Sequence, residues 1–296
     1  MGRAGTAAAA ERWSSLYDLA RERLGDRSSA RWLVEDASGG TWPGVLDEVV
    51  TARTGEHFMA MLARRERGEP IQYVLGHWSF RRLDLMVDRR VLVPRPETEV
   101  VVEVALAELA RSGVAQPLVV DLGTGSGAIA ISVAVEVAGA RVWATDRSPG
   151  ALAVASANLS GAGSGAAGRV QLARGDWWGA LPPDLAGTVD MVVSNPPYVA
   201  EGEVADLPPE VADWEPGEAL VAGPDGLDAL RVVLAGAPRW LRPGGAVVCE
   251  MAPHQAEAVR GLALAVGFER ADVHADLAGR DRVLVAVLPE GRRQPH

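Results

Sequence analysis

The chain has 296 residues, a formal net charge of −10, 48% hydrophobic and 23% charged content, and one cysteine. That balance excludes wholesale disorder, and a lone cysteine excludes a disulfide framework or a multi-cysteine zinc site. The length allows roughly two domains of 100–200 residues, each with its own core.

Charge is unevenly placed. All 29 basic residues are arginine; residues 1–93 carry 14 Arg against 13 acids, and residues 94–296 carry 15 against 26, a net of −11. An acidic larger part argues against a nucleic-acid partner, which needs clustered positive charge to neutralise phosphates. No run reaches the ~18 apolar residues of a membrane span, so no membrane is expected. Met1–Ala10 lacks the apolar stretch and cleavage pattern of a signal peptide. With Cys249 alone, the expectation is a cytoplasmic protein.

The first ~75 residues read as short helices with a 3.6-residue period. Trp13, Leu16, Leu19, Ala20 and Leu24 share one helical face, and Ser28 is the expected cap of a second helix. Thr54 is expected to start a third, running through Phe58, Met61 and Leu62 until Gly68 and Pro70 end it. From Trp78 to Val93 the period changes, with Phe80, Leu83, Leu85, Val87 and Val91 among Arg and Asp, which predicts a β-hairpin closed by Pro94 and Pro96.

From Leu118 onwards short apolar runs alternate with helical stretches. The expected strands begin at Leu118, Arg141, Val170, Val189 and Ala246. The expected helices are Ala128–Val137, Gly150–Leu159, Leu227–Leu241 and Gln255–Val266. This is an α/β pattern: a parallel sheet with helices on both faces. Two last strands, Ala271–Ala275 and Arg282–Leu288, have no helix between them and predict an antiparallel pair at one side of the sheet. Ser160–Gly168 reads as a Gly/Ala/Ser loop without chemistry.

Two motifs carry chemistry. The first is Asp121-Leu122-Gly123-Thr124-Gly125-Ser126-Gly127, directly after a strand and before a helix. Glycines there allow a tight turn and close approach of a ligand to bare backbone near a helix N-terminus. Asp146, at the end of the next strand, is placed to accept hydrogen bonds from the ribose hydroxyls of an adenosine-containing cofactor. Gly123, Gly125 and Ala128 also satisfy the looser dinucleotide fingerprint, so the loop alone leaves NAD open. The acidic surround favours S-adenosylmethionine, which carries a sulfonium and an ammonium and no phosphate.

The second motif is Ser194-Asn195-Pro196-Pro197-Tyr198, at the carboxyl end of a strand, where such sheets bind ligands. The prolines fix the local chain. The Asn195 side-chain oxygen and the Pro196 carbonyl together can accept both hydrogens of a planar NH2 group, and the Tyr198 ring can stack on its plane. A delocalised nitrogen of that kind is a weak nucleophile, and positioning supplies much of its activation. No histidine pair has metal-ligand spacing, so no metal is expected.

Beyond these motifs, Gly68-Glu69-Pro70-Ile71-Gln72-Tyr73-Val74-Leu75-Gly76, Val93-Pro94-Arg95-Pro96-Glu97-Thr98-Glu99, Asp225-Gly226-Leu227 and Asp276-Leu277-Ala278-Gly279-Arg280-Asp281 stand in order along the chain. Together they resemble the release-factor glutamine methyltransferases (the HemK/PrmC family), from about Leu62 to Leu288. The resemblance implies three parts: a helical substrate-recognition domain over residues 1–76, a β-hairpin linker over 77–93, and a Rossmann-like methyltransferase domain over 94–296. It implies methyl transfer from S-adenosylmethionine to the glutamine nitrogen of a Gly-Gly-Gln motif in a peptide-chain release factor. Gly123, Thr124, Gly125, Ser126, Gly127, Asp146 and Asn195 match its cofactor contacts, and Trp177 matches the aromatic residue beside adenine. Asn195, Pro196, Pro197 and Tyr198 match the clamp on the acceptor amide, with Asn195, Pro196 and Tyr198 as its catalytic members.

The chain departs from the family pattern at Glu250-Met251-Ala252-Pro253-His254-Gln255, where two glycines are missing, so a reshaped loop beside the crevice is expected. Rival readings keep the clamp but change the acceptor: a glutamine of a ribosomal protein, or an adenine N6 amine on nucleic acid. A nicotinamide-dependent oxidoreductase or a non-catalytic nucleotide-binding module would change the class. Arg81, Arg82, Arg89, Arg90 and Arg95 form the densest basic stretch, read as a solvated face or a docking patch for an acidic partner.

Overall fold

The computed structural model describes residues 11–291. The reading of Met1–Ala10 lies outside them. The chain divides after Gly76 into two compact units.

The smaller unit holds helices α1 (Trp13–Leu24), α2 (Arg27–Ser38), α3 (Ala52–Glu66) and α4 (Ile71–Leu75). Asp26, not Ser28, caps α2: its carboxylate accepts from the Ser28 N–H at 2.9 Å and the Ser29 hydroxyl at 2.5 Å. A carboxylate two residues earlier satisfies two donors that a serine hydroxyl cannot. Likewise Thr51, not Thr54, caps α3, and Thr54 returns a hydrogen bond to the Thr51 backbone. Trp13, Leu16, Leu33, Phe58 and Leu62 meet in the core, with Trp13 edge-on to Phe58 at 5.9 Å. Arg64 closes the unit, donating to Glu69 and to the carbonyls of Tyr73 and Val74.

The larger unit opens with strands β1 (His77–Phe80) and β2 (Leu83–Met86), an antiparallel hairpin. Its Phe80 and Leu85 are buried with Val101, Ala105 and Ile129 of the sheet-covering helices, so the hairpin is part of this unit's core. Helix α5 (Pro96–Ser112), which periodicity had not marked, follows. Then come β3 (Leu118–Leu122), α6 (Ala128–Glu136), β4 (Arg141–Asp146), α7 (Pro149–Gly161), α8 (Ser164–Ala167), β5 (Val170–Arg174) and β6 (Val189–Ser194). The chain closes with α9 (Pro209–Ala212), α10 (Asp228–Trp240), β7 (Leu241–Glu250), α11 (Ala256–Ala265), β8 (Arg270–Ala275) and β9 (Asp281–Val287).

The sheet order is β5-β4-β3-β6-β7-β9-β8, parallel except that β9 runs antiparallel to both β7 and β8. The pleat sends Val119 to the face covered by α5 and α6, and Val120 and Leu122 to the face covered by α10 and α11. Chain order reverses between β3 and β6, and a crevice opens at their carboxyl ends. Both motifs stand there.

Residues 160–168 are not a simple loop. Helix α7 runs on through Gly161, α8 follows, and Ala166 is buried in the core. Arg169 pins the segment by donating to the carbonyls of Ala134, Val137 and Ala140. Alanine's small apolar side chain supplies both helix propensity and a burial point, which composition alone disguises as a linker. Among the described residues, no helix is long and apolar enough to cross a membrane.

Candidate active site

The turn after β3 needs glycine. Gly123, Gly125 and Gly127 have φ of 75°, 54° and 83°, the left-handed region that a Cβ disfavours. The N–H groups of Gly123 and Thr124 both donate to the Thr145 carbonyl at 2.9 Å, tying the turn to β4. A Cβ on Gly125 would meet nothing within 4 Å, and one on Gly123 would meet only Trp177 Cζ3 at 4.0 Å. The space they leave is a cavity of about 360 Å³, lined by Gly123 to Ser126, Asp146, Trp177, Asn195 and Pro197 among others. Gly127 stands behind the lining, where it starts α6; a Cβ there would lie 2.9 Å from Ile131 Cδ1.

Asp121, at the end of β3, is buried. Its Oδ2 accepts from the Thr124 hydroxyl at 2.6 Å and the Ala130 N–H at 3.1 Å, while Oδ1 has no partner among the described residues. Burial pushes its carboxyl up to about 7, against the pull of the Thr124 and Ala130 donors and with a further push from Asp146. Asp146 already accepts from the Gly125 N–H and the Ser148 N–H, both at 2.9 Å. It therefore locks the glycine turn to the end of β4 and still keeps lone pairs on the cavity side.

Trp177 holds φ at 45°, a left-handed backbone in a bulky residue. Strain of this kind collects at ligand clamps, where surrounding structure enforces it. The acids Asp146, Asp176, Glu218 and Asp228 line the cavity against Arg90 and Arg147. Arg147 is paired with Glu218, and Arg90 with Asp88. A lining with surplus acid, and open space over two glycines, fits a ligand that carries a sulfonium and an ammonium. The residues present fit S-adenosylmethionine.

At the end of β6, Asn195 lines the same cavity, and its Nδ2 donates to Thr98 Oγ1 at 3.0 Å. Thr98, on the first turn of α5, donates to Glu250 Oε2 at 2.7 Å, and the Tyr198 hydroxyl donates to Glu250 Oε1 at 3.1 Å. Pro196 is buried behind the cavity and Pro197 lines it. Tyr198 lies outside the lining. Burial and the Glu250 charge raise its phenol above the ordinary range, so it stays a protonated donor. Gln255 Nε2 fixes the next backbone stretch, donating to the carbonyls of Tyr198 at 2.9 Å and Gly226 at 3.2 Å.

Thr98, Glu250 and Gln255 escaped the reading of the sequence as site residues. An acid that closes an apolar strand at the ligand end of the sheet, as Glu250 does, was the available signal. The missing glycines leave this loop unstrained: Ala252 has φ −71° and ψ 146°, open to any residue, and its N–H donates to Gln255 Oε1. His254 is largely exposed and 3.6 Å from Glu203.

The arginine stretch divides: Arg82, Arg89 and Arg90 are exposed, while Arg81 and Arg95 are half-buried against acids. Arg81 pairs with Glu136, Arg90 with Asp88 and Arg95 with the buried Glu215, while Arg89 lies 4.3 Å over the Trp214 ring. Arg81 and Arg95 reach acids distant in sequence, Arg90 reaches Asp88 two residues away, and Arg82 is exposed. Cys249 is buried in β7, which raises its thiol far above the ordinary value.

Two family models match: the PrmC N-terminal domain over residues 18–76 and the methyltransferase small domain over residues 101–208. Among curated proteins, the chain is 44% identical to a release factor glutamine methyltransferase of Cereibacter sphaeroides, over 82% of this chain and 84% of that one. It is 41% identical to one from Burkholderia pseudomallei, over 92% and 95%. Among solved structures, the hMettl16 catalytic domain in complex with the MAT2A 3'UTR hairpin 6 superposes with a TM-score of 0.56 at 13% identity. That match covers 82% of this chain and 83% of that one, and it shows a shared fold. Identity at this level, sustained across four-fifths or more of both partners, places the chain in the release factor glutamine methyltransferase family.

Proposed function

We propose that this chain binds S-adenosylmethionine over the Gly123–Gly127 turn and methylates the side-chain nitrogen of a glutamine in a peptide-chain release factor. Residues 94–296 would do the chemistry with the 77–93 hairpin packed into the same body, and residues 1–76 would recognise the protein substrate. The observation that carries the reading is Asn195: the residue lines the cavity, its NH2 donates to Thr98, and its Oδ1 accepts no protein hydrogen bond among the described residues.

In this reading Asp146 would hold the ribose hydroxyls, Trp177 would cover the adenine, and the Gly123–Gly125 backbone would take the remainder. When bound, S-adenosylmethionine supplies an electrophilic methyl on a sulfonium. Asn195 Oδ1 and the Pro196 carbonyl accept from the two hydrogens of the glutamine NH2, which draws electron density onto nitrogen and aims it into the cavity. Tyr198, anchored through its hydroxyl to Glu250, sets the clamp's far wall. The transfer would form the N–C bond as the S–C bond of the bound cofactor breaks, and one amide proton would leave to solvent. Neutral acceptors suffice, because positioning and electrostatics lower the barrier without a strong base.

The test uses radiolabelled S-adenosylmethionine with purified release factor, ribosomal protein and duplex DNA as separate acceptors, followed by peptide mapping. Label on the glutamine of Gly-Gly-Gln is expected. Label on ribosomal protein or DNA alone would reject the acceptor. Asn195→Ala should lose transfer by far more than it weakens cofactor binding; near-normal turnover in that variant would reject the clamp.

A further inference from the structure

We infer that Thr98 and Glu250 are positioning residues that decide which end of the Asn195 amide faces the methyl acceptor. The inference rests on the clamp reading above.

An amide side chain is nearly symmetric in shape, so packing alone cannot tell its oxygen from its nitrogen. Here the choice is made by counting protons along a chain of groups drawn from α5, β6 and β7. Glu250 is 1% exposed, and in the carboxylate form that the two hydroxyls aimed at it match, it has no proton to give. It therefore accepts from both neighbours, Thr98 Oγ1 at 2.7 Å and the Tyr198 hydroxyl at 3.1 Å. Thr98 has a single hydroxyl proton, and this bond uses it. Only lone pairs remain on Thr98 Oγ1 toward Asn195, so Asn195 must turn its NH2 to Thr98, as the 3.0 Å contact records. The opposite end, Oδ1, is thereby left for a donor such as a substrate NH2.

Protonation of Glu250 reverses the chain. Its new O–H donates to Thr98 Oγ1, the Thr98 proton turns to Asn195 Oδ1, and the amide flips to offer NH2 where the substrate also offers NH2. Two donors then face each other and the clamp fails. The groups facing Glu250 bear on this. Burial raises its carboxyl above the ordinary range, while the Thr98 and Tyr198 donors and the Arg282 guanidinium pull it down, and Glu97 pushes it up. Arg282 is itself buried, its Nη1 donating to the Met251 carbonyl at 3.2 Å. Its charge is shared with Asp276 at 3.8 Å and opposes, without cancelling, the upward push of burial on Glu250.

The experiment compares Thr98→Val, Thr98→Ser and Glu250→Gln in the full chain, with release factor as acceptor and S-adenosylhomocysteine for cofactor affinity. Thr98→Val keeps shape and removes the hydroxyl; it should lower kcat roughly 10- to 100-fold with cofactor Kd within about twofold. Thr98→Ser keeps the hydroxyl and should stay within about threefold of the parent. A role in packing alone predicts the reverse order, with valine tolerated and serine impaired, and that order overturns the inference. Glu250→Gln should abolish the acid limb of the kcat–pH profile; an unchanged limb also overturns it.

A readout without any acceptor separates this inference from the choice of substrate. In the S-adenosylhomocysteine complex, the Asn195 side-chain NH2 resonances should shift and lose exchange protection in Thr98→Val and persist in Thr98→Ser. Unchanged resonances in a folded Thr98→Val reject the inference, whereas a parent enzyme that labels no release factor rejects only the acceptor.

Discussion

Trp177 offers a test in which strain and binding can be read separately. Its backbone sits at φ 45°, and its ring lines the cavity with Cζ3 within 4.0 Å of the Cβ position of Gly123. Trp177→Ala and Trp177→Gly delete the same ring, so losses from packing and stacking cancel between them. What differs is the backbone. A left-handed residue bearing a Cβ costs roughly 1–2 kcal/mol, and glycine escapes that cost. Glycine also adds roughly 0.4–1 kcal/mol of freedom to the unfolded chain, which is lost on folding. The difference leaves the glycine variant more stable by about 0.5–1 kcal/mol, or about 2–3 °C in Tm for a unit of this size. Against the parent, both variants should bind S-adenosylmethionine more weakly, because stacking of a base on an aromatic ring contributes roughly 1–3 kcal/mol. That corresponds to a Kd raised on the order of 5- to 150-fold, while Trp177→Phe should recover most of it. Calorimetric titration gives the affinities and scanning calorimetry the stabilities. An alanine variant that binds within about twofold of the parent would refute adenine stacking. A glycine variant no more stable than the alanine one would refute the strain.

Three further outcomes are expected. The Asp121 carboxyl, pushed by burial from 3.8 to about 7, binds a proton more tightly folded than unfolded. Its stabilising contribution is therefore complete below pH ~4 and lost as pH rises through about 7, on the order of 4 kcal/mol in all; urea unfolding of Asp121→Asn at pH 5 and pH 8 should lack that slope. Gly226→Ala places a Cβ 2.4 Å from the Tyr198 carbonyl and 2.7 Å from Gln255 Nε2 at φ 72°, so thermal unfolding should show a loss of roughly 1–3 kcal/mol and turnover should fall more than cofactor affinity. Arg81→Ala strips Glu136 of a two-point partner at 2.6 and 2.8 Å, with side chains only 18% and 15% exposed, and should cost roughly 3 kcal/mol; adding Glu136→Ala should restore part of it in a double-mutant cycle.

Most of the fold was legible because its signals are local. Val119 and Val120 alternate between the two faces as a strand should, and helix α10 keeps Leu230, Val233, Leu234 and Ala237 on one buried side. The glycine turn and the Asn195 segment declared themselves by composition at strand ends. What stayed hidden was set by contacts between distant residues. Glu250 lies 152 residues from Thr98, and no local pattern announces that the first turn of α5 will meet the end of β7. Arg81 and Arg95 were not legible as paired residues because their partners, Glu136 and Glu215, stand far along the chain. The caps of α2 and α3 were displaced by two and three residues, since Asp26 and Ser28, or Thr51 and Thr54, are equally good candidates until the backbone chooses.

The placement of charge around the clamp follows from the chemistry asked of it. A carboxylate in direct contact with the acceptor NH2 would polarise it strongly, but in the open state it would attract cations and water, and beside a sulfonium it would favour the ground state as much as the transition state. In this chain the carboxylate is set one residue back. Glu250 is sealed at 1% exposure and accepts from Thr98 and Tyr198, so in the proposed clamp it acts on the crevice through the orientation of Asn195. The group left at the wall is a neutral carbonyl oxygen, which is cheap to desolvate and specific for a donor. In the proposed clamp, loss of activity when Glu250 takes up a proton is then a consequence of the same arrangement.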